Sequence, residues 1–332
     1  MKGRALGKTG VAVSELGLGT AFMSGQGQQG VNDCVVRAVD RGINYFDTAA
    51  DYGKGNDERM LGVALRGRRD KVFLATKVGC VEDLGGHRRM ESLMRQFEDG
   101  LRRLQTDHVD LIQLHEADQR KWWSDDPVST EQAADHGGPL IRDEEDYSFT
   151  TAPCVEFLRR VKQQGKARFV GITGKDAWRL ARLVGAVQVD SMMVAHQYNP
   201  ILRNAARFLL PLTEAKGVGV AGGAMLMKGW LAVARTEWRN QLPRWMDGDF
   251  HRAYFAYLDI QASSGIALPE LTLRWLLAEQ RVHCIVVGFR EWHEIESNIE
   301  AIERGPLPTE LQSRIDAIGI IHPLLYQGRT TI

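Results

Sequence analysis

Gly25–Gly30 reads GQGQQG, and the reading of this stretch decides the fold. It has the form G-x-G-x-x-G, with the apolar run ELGLGTAFM (15–23) before it and the helix-like VNDCVVRAVD (31–40) after it. An acidic residue, Asp47, stands about twenty positions on. Taken alone, this is the fingerprint of an open dinucleotide-binding sheet in which Asp47 holds a ribose hydroxyl. The spacing argues otherwise. The fingerprint needs its first glycine in the tight turn directly after the strand, and here Ala21–Ser24 intervene. The stretch is expected to be a mobile loop at the mouth of a different α/β fold.

Working outward, short apolar runs recur: ELGLGT (15–20), INYFDT (43–48), KVFLATK (71–77), VDLIQLH (109–115), ARFVGIT (167–173), VDSMMVAHQY (189–198), GVGVAGGAM (217–225) and HCIVVGF (283–289). Between them lie amphipathic segments such as MESLMRQFEDGLRRLQ (90–105), with Leu93, Met94, Phe97, Leu101 and Leu104 on one face, and PCVEFLRRVKQQGK (153–166). Strands alternating with helices pair in parallel through right-handed crossovers. Eight such units are what a closed (β/α)8 barrel requires. Ahead of the first run, GRALGKTGVAV (3–13) predicts a small hairpin closing the barrel floor.

Two stretches interrupt the repeat. Residues 119–151, which overlap a long polar loop over 116–150, carry Trp122 and Trp123, and a loop of this length suits a lid or a binding loop. Residues 230–265, between the seventh and eighth runs, are expected to contain an extra helix. No linker or low-complexity tract divides the chain, so residues 1–332 are expected to form one domain.

Forty-two basic residues balance 42 acidic ones, which gives no general attraction to nucleic acid or anionic membrane. No run of eighteen or more apolar residues is present, and MKGRALGKTG (1–10) lacks a signal-peptide core, so a cytoplasmic location is expected. Cys34, Cys80, Cys154 and Cys284 show no C-x-x-C spacing and are expected to be reduced, buried thiols, with no metal site. The partner is then a small molecule; the oligomeric state is left open.

In a barrel the active site lies where strands end. Residues just past the runs are Asp47 and Tyr52 (FDTAADYG), Lys77 (ATKVG) and His115 (LIQLH). A phenol of ordinary pKa about 10 is a poor proton donor near neutrality, and a nearby ammonium is expected to pull that value down. Asp47 would hold the Lys77 ammonium in place, and His115 would donate to or orient a substrate oxygen. Such a set protonates or deprotonates an oxygen beside a carbon.

In these contexts, and in the opening GKTGVAVSELGLGTAF (7–22), the chain resembles the aldo-keto reductase superfamily through nearly its whole length. The resemblance implies a (β/α)8 barrel and hydride transfer between a nicotinamide cofactor and a carbonyl or alcohol. Tyr52 would be the acid/base, Lys77 and Asp47 the pair that tunes it, and His115 the orienting donor. It further implies cofactor contacts from Thr20, Thr173, Gly174, the stretch from Gly222 to Lys228 (Gly222, Gly223, Leu226 and Lys228), Gly288, Arg290 and Asn298.

The chain also departs from the family. Many members have Ser-Asn where it has Thr173-Gly174, a Gln where it has Ala195, and a stacking aromatic where it has Gly223. GITG (171–174) with a glycine-rich seventh run is similar to a branch containing aldose dehydrogenases such as L-galactose dehydrogenase. Arg290 favours NADP slightly over NAD, because it suits a 2′-phosphate, whereas Glu294 would repel one; an exposed Arg290–Glu294 ion pair is the plainer reading of the two. Phe22, Met23, Trp122 and Trp123 are candidates to wall a pocket for a small polar substrate, a sugar among them, and the tryptophans would equally serve as loop anchors. Two alternatives remain open: an NAD(P)-binding regulatory subunit, and a net non-redox reaction by transient hydride transfer.

Overall fold

The computed structural model describes residues 1–79, 86–125 and 138–322. The chain opens on an antiparallel hairpin, β1 (Gly3–Ala5) and β2 (Ala12–Ser14). Each apolar run then supplies one strand: β3 (Leu16–Gly19), β4 (Tyr45–Asp47), β5 (Phe73–Val78), β6 (Val109–Leu114), β7 (Ala167–Gly174), β8 (Ser191–Ala195), β9 (Gly219–Gly223) and β10 (Cys284–Gly288). These eight pair in parallel, in the order β10-β3-β4-β5-β6-β7-β8-β9, and close into a barrel. Strands covered on both faces have no polar side to show, which is why they read as continuous apolar runs.

Inside the barrel, Tyr45, Phe73, Ala75, Leu111, Met193, Ala221, Cys284 and Val286 pack against Leu6 and Val13 of the hairpin segment. Lys8 N–H donates to the Gly217 carbonyl at 2.8 Å, so the hairpin closes the floor as expected. Gly17 must be a glycine, because a Cβ there would lie 2.7 Å from Cys284 Sγ and 3.0 Å from the Tyr45 ring.

The barrel is wrapped by helices α1 (Gly27–Asp40), α2 (Asn56–Ala64), α3 (Met90–Leu104), α4 (Pro153–Gln163), α5 (Ala177–Ala186), α6 (Asn204–Phe208), α7 (Leu210–Lys216), α8 (Gly248–Ser264), α9 (Leu268–Leu276), α10 (Trp292–Glu303) and α11 (Thr309–Asp316). The face of α3 read from the sequence is the buried one, with Leu93, Phe97, Leu101 and Leu104 inside and Met94 half-buried at its edge. The expected helix between β9 and β10 is α8, where the Asp247 side chain accepts from the Phe250 N–H at 2.9 Å as an N-cap. Ahead of it, Trp230 and Trp245 stack at 4.3 Å and fasten the preceding loop.

GQGQQG does not form a loop. Met23–Gln26 make a 3-10 turn and Gly27–Gly30 are the first turn of α1, with Gly27 at φ +72° and no phosphate-binding turn after β3. Gly27, at φ +72° and ψ 166°, makes the bend into the helix in a backbone conformation open to glycine.

Cys34, Cys154 and Cys284 are buried thiols; Cys80 lies outside the described residues, as does the 126–137 part of the long loop. Among the described residues no helix is long and apolar enough to cross a membrane.

Candidate active site

The C-terminal ends of β4, β5 and β6 bring Asp47, Lys77 and Gln113 together, and the turns beyond them add Tyr52 and His115. Lys77 Nζ donates to Asp47 Oδ1, to the Thr48 carbonyl at 2.8 Å and to the Tyr52 hydroxyl at 3.2 Å. Gln113 Nε2 donates to Asp47 Oδ2 at 3.1 Å. Lys77 and Asp47 are almost fully buried, so each charge is tolerable only through the other. The His115 ring stands edge-on to Tyr52, centroids 5.9 Å apart. Tyr52 and His115 keep part of their surface open to the barrel mouth, where a substrate can reach them.

The electrostatics correct one expectation. Burial pushes the Tyr52 phenol up to about 12, and the opposing pull of Lys77 only reduces that rise, with Asp47 and Asp51 adding to it. The phenol is therefore held protonated. Burial acts to lower the Lys77 ammonium, but Asp47 and Tyr52 together raise it, so it stays charged. The assembly is a neutral O–H backed by a fixed cation, which suits delivery of a proton to a developing alkoxide.

Gln113 and Thr48 were not read from the sequence. Gln113 left a signal, being a polar residue in an apolar strand, two positions after Leu111 and hence on the barrel-interior side. Thr48 acts through its backbone carbonyl, which no residue type announces.

The expected cofactor positions lie around the other half of the mouth. Thr173 is buried, and its hydroxyl accepts from the Glu116 N–H at 3.0 Å. Gly174 leaves room for Asp118, whose carboxylate would lie 2.7 Å from a Cβ there and accepts from the N–H groups of Lys175 and Asp176. Gly222 and Gly223 end β9, and the Met193 thioether fills the space a side chain at 223 would take. Leu226 is half-buried, and Asn298 is buried on α10. Thr20 is fully buried and donates to Thr48 Oγ1 at 2.8 Å, which makes it a support of the turn after β4. His196, not read from the sequence, follows Ala195 in the left-handed region at φ +65° and is kept neutral, its pKa lowered to about 3 by burial and by Lys175 and Lys228.

Ala224, Met227 and Lys228 all have positive φ, at 48°, 51° and 55°. Left-handed non-glycine residues are strained and gather at ligand sites. Burial and Lys175 both lower the Lys228 ammonium, so two cations crowd this loop. Across the mouth, Arg290 is exposed beside Phe22, its guanidinium 5.8 Å from the ring, with Gly288 beneath that ring. The donor set fits a dinucleotide whose phosphates need cations and backbone N–H groups.

Three expectations change here. Glu294 makes no ion pair with the Arg290 side chain but accepts from the Arg290 backbone N–H at 2.7 Å, at the start of α10, leaving the guanidinium outside. Of the two readings of Trp122 and Trp123, the contacts are those of loop anchors: both are buried, and their indole N–H groups donate to the His115 carbonyl at 3.1 Å and the Ala117 carbonyl at 2.7 Å. Met23 is likewise fully buried, whereas Phe22 is 57% exposed and faces the mouth with Arg290.

An eight-stranded parallel barrel with this tyrosine, lysine, aspartate and histidine at its mouth defines a class of carbonyl-handling oxidoreductase. The model of the aldo/keto reductase family matches residues 15–320, and the chain belongs to that family. Its members are NAD(P)-dependent oxidoreductases acting on carbonyl substrates, and this chain is an enzyme of that kind. It is similar to L-galactose dehydrogenase of Arabidopsis thaliana, 30% identical over 93% of this chain and 89% of that protein. It is 26% identical to NADH-specific methylglyoxal reductase of Escherichia coli over 91% of this chain and 94% of that one. The holo form of an aldo-keto reductase from Bacillus halodurans superposes with a TM-score of 0.75 at 25% identity, covering 98% of this chain and 99% of that one.

Proposed function

We propose that the enzyme interconverts the carbonyl and hydroxyl of a small polar substrate, an aldose or related sugar in the first instance, with Tyr52 as the proton-handling group. The observation that carries this reading is the Tyr52 hydroxyl 3.2 Å from a lysine ammonium that is itself buried on Asp47. When bound, the nicotinamide dinucleotide supplies or accepts the hydride. Thr173, Gly222, Gly223, Lys228, Gly288, Arg290 and Asn298 would hold it.

The chain's own residues supply the rest. His115 positions the substrate oxygen beside the Tyr52 hydroxyl, and Tyr52 passes its proton to that oxygen in reduction and takes it back in oxidation. Lys77 stabilises the phenolate left behind, and Asp47, with Gln113 on its second oxygen, fixes Lys77. This division of labour explains a phenol held protonated at rest and a cation that cannot leave.

The likeness to L-galactose dehydrogenase supports a sugar, and the exposed Arg290 guanidinium supports NADP as the preferred cofactor. A screen of aldoses, aldonolactones and short aldehydes with each reduced or oxidised cofactor tests both points. Turnover of aldoses above that of apolar aldehydes is expected; the reverse order would remove the sugar assignment.

A further inference from the structure

Asp51, directly before Tyr52, lies with its Oδ1 3.4 Å from His115 Nδ1, and both side chains are largely buried, at 12% and 13% exposure. We propose that Asp51 is a positioning residue for His115: it keeps the proton on Nδ1, so that Nε2 donates to a substrate carbonyl only when the ring is the imidazolium and accepts from an alcohol when the ring is neutral. The inference rests on the reading of the site given under Proposed function.

Both partners are fixed from behind. Gly53 and Lys54 each have φ +55°, and Lys54 N–H donates to the Asp51 carbonyl at 3.0 Å, which locks the turn that carries the carboxylate. His115 N–H donates to the Val78 carbonyl at 2.8 Å, and the His115 carbonyl accepts from Trp122 Nε1 at 3.1 Å. The buried tryptophan thus holds the histidine backbone while the Asp51 carboxylate stands 3.4 Å from its ring nitrogen. A carboxylate on one imidazole nitrogen selects the tautomer with the proton on that nitrogen, and the other nitrogen then carries the chemistry.

Among the described residues, the titratable and charged groups around the pair are Tyr52 edge-on to the ring, Lys77 and Asp47 behind Tyr52, Asp57 at the start of α2, Glu116 next in the chain and paired with Lys175, and, beyond Trp122, His87, Arg88 and Lys121. Asp51 also bears on the Tyr52 phenol, disfavouring its phenolate. Asp51 thus bears on the site in two ways, on the His115 tautomer and on the Tyr52 phenol that it helps hold protonated, and reduction should dominate at lower pH and oxidation at higher pH.

The test compares wild type, Asp51→Asn, Asp51→Glu and His115→Asn, each with pH profiles of kcat/KM in both directions and cofactor binding by fluorescence. In Asp51→Asn the alkaline limb of the reduction profile should move down by about one pH unit, as for loss of a facing opposite charge. Asp51→Glu should restore it, and cofactor affinity should not change. In a His115→Asn background the Asp51→Asn shift should shrink to the part carried by the Tyr52 phenol. Nitrogen-15 NMR of the wild-type ring should show Nδ1–H as the neutral tautomer. Superimposable profiles for wild type and Asp51→Asn, or a neutral Nε2–H tautomer, would overturn the assignment of Asp51. Undiminished turnover in His115→Asn would instead overturn the reading of the site.

Discussion

Lys77 places its ammonium between the Asp47 carboxylate and the Tyr52 hydroxyl, 3.2 Å from the latter, in a setting where it is 1% exposed. The ion pair and the proton donor are one structure, so stability and chemistry cannot be changed separately at this lysine. Lys77→Met should leave Asp47 as an uncompensated buried charge, and removing one partner of such a pair costs about 3–5 kcal/mol. Thermal unfolding should show the loss, and turnover should fall in parallel. A Lys77→Met, Asp47→Asn double variant should recover much of the stability without the activity.

The neutral histidines make stability depend on acid. Burial, with Lys121, lowers His87 from 6.5 to about 3, while its Nε2 bonds the Gly79 carbonyl at 2.8 Å. A folded-state pKa below the unfolded value gives stability that is fully present above about 6.5 and is lost as pH falls toward 3. By pH of about 5 the cost from His87 is about 2 kcal/mol. Urea midpoints at neutral and mildly acidic pH should show this loss in wild type, with His196 adding to it, and a shallower dependence in His87→Gln.

On the proposed reading, cofactor choice turns on Arg290. Because Glu294 is engaged by the backbone, the guanidinium is available to a 2′-phosphate. Arg290→Ala should weaken NADPH by roughly tenfold or more, the size of a lost charge-assisted hydrogen bond, and leave NADH nearly unchanged. Equal weakening of both, read by fluorescence titration, would place the 2′-phosphate elsewhere.

GQGQQG offers the complementary control. Gly27→Val forces a β-branched residue to φ +72° at the start of α1, which should cost on the order of 1–2 kcal/mol in stability. Cofactor affinity should be retained, since no phosphate-binding turn follows β3. Specific loss of cofactor binding in a well-folded variant would reinstate the fingerprint reading.

The strands were legible because burial on both faces leaves an uninterrupted apolar run, and all eight runs became β3 to β10. Asp47, Tyr52, Lys77 and His115 were legible because a polar residue ending such a run stands out. The misreadings have a common cause: exposure is a property of the packed molecule. Trp122 and Trp123 were open to two readings in the sequence, pocket wall or loop anchor, and only the carbonyls of His115 and Ala117 show them turned inward. The Tyr52 shift was misjudged for the same reason, since the sequence shows the lysine beside the phenol but not the burial that outweighs it. The start of α1 was missed because three glycines read as loop when only Gly27 adopts a positive φ.

The central claim is that Tyr52 handles the proton while the rest of the site holds cofactor and substrate. The most direct measurement is steady-state turnover of Tyr52→Phe, followed by the absorbance of reduced nicotinamide, alongside cofactor affinity by fluorescence titration. The account predicts a fall in kcat of at least about 100- to 10,000-fold, as for loss of a general acid, with cofactor affinity unchanged. Turnover within a few-fold of wild type would contradict it.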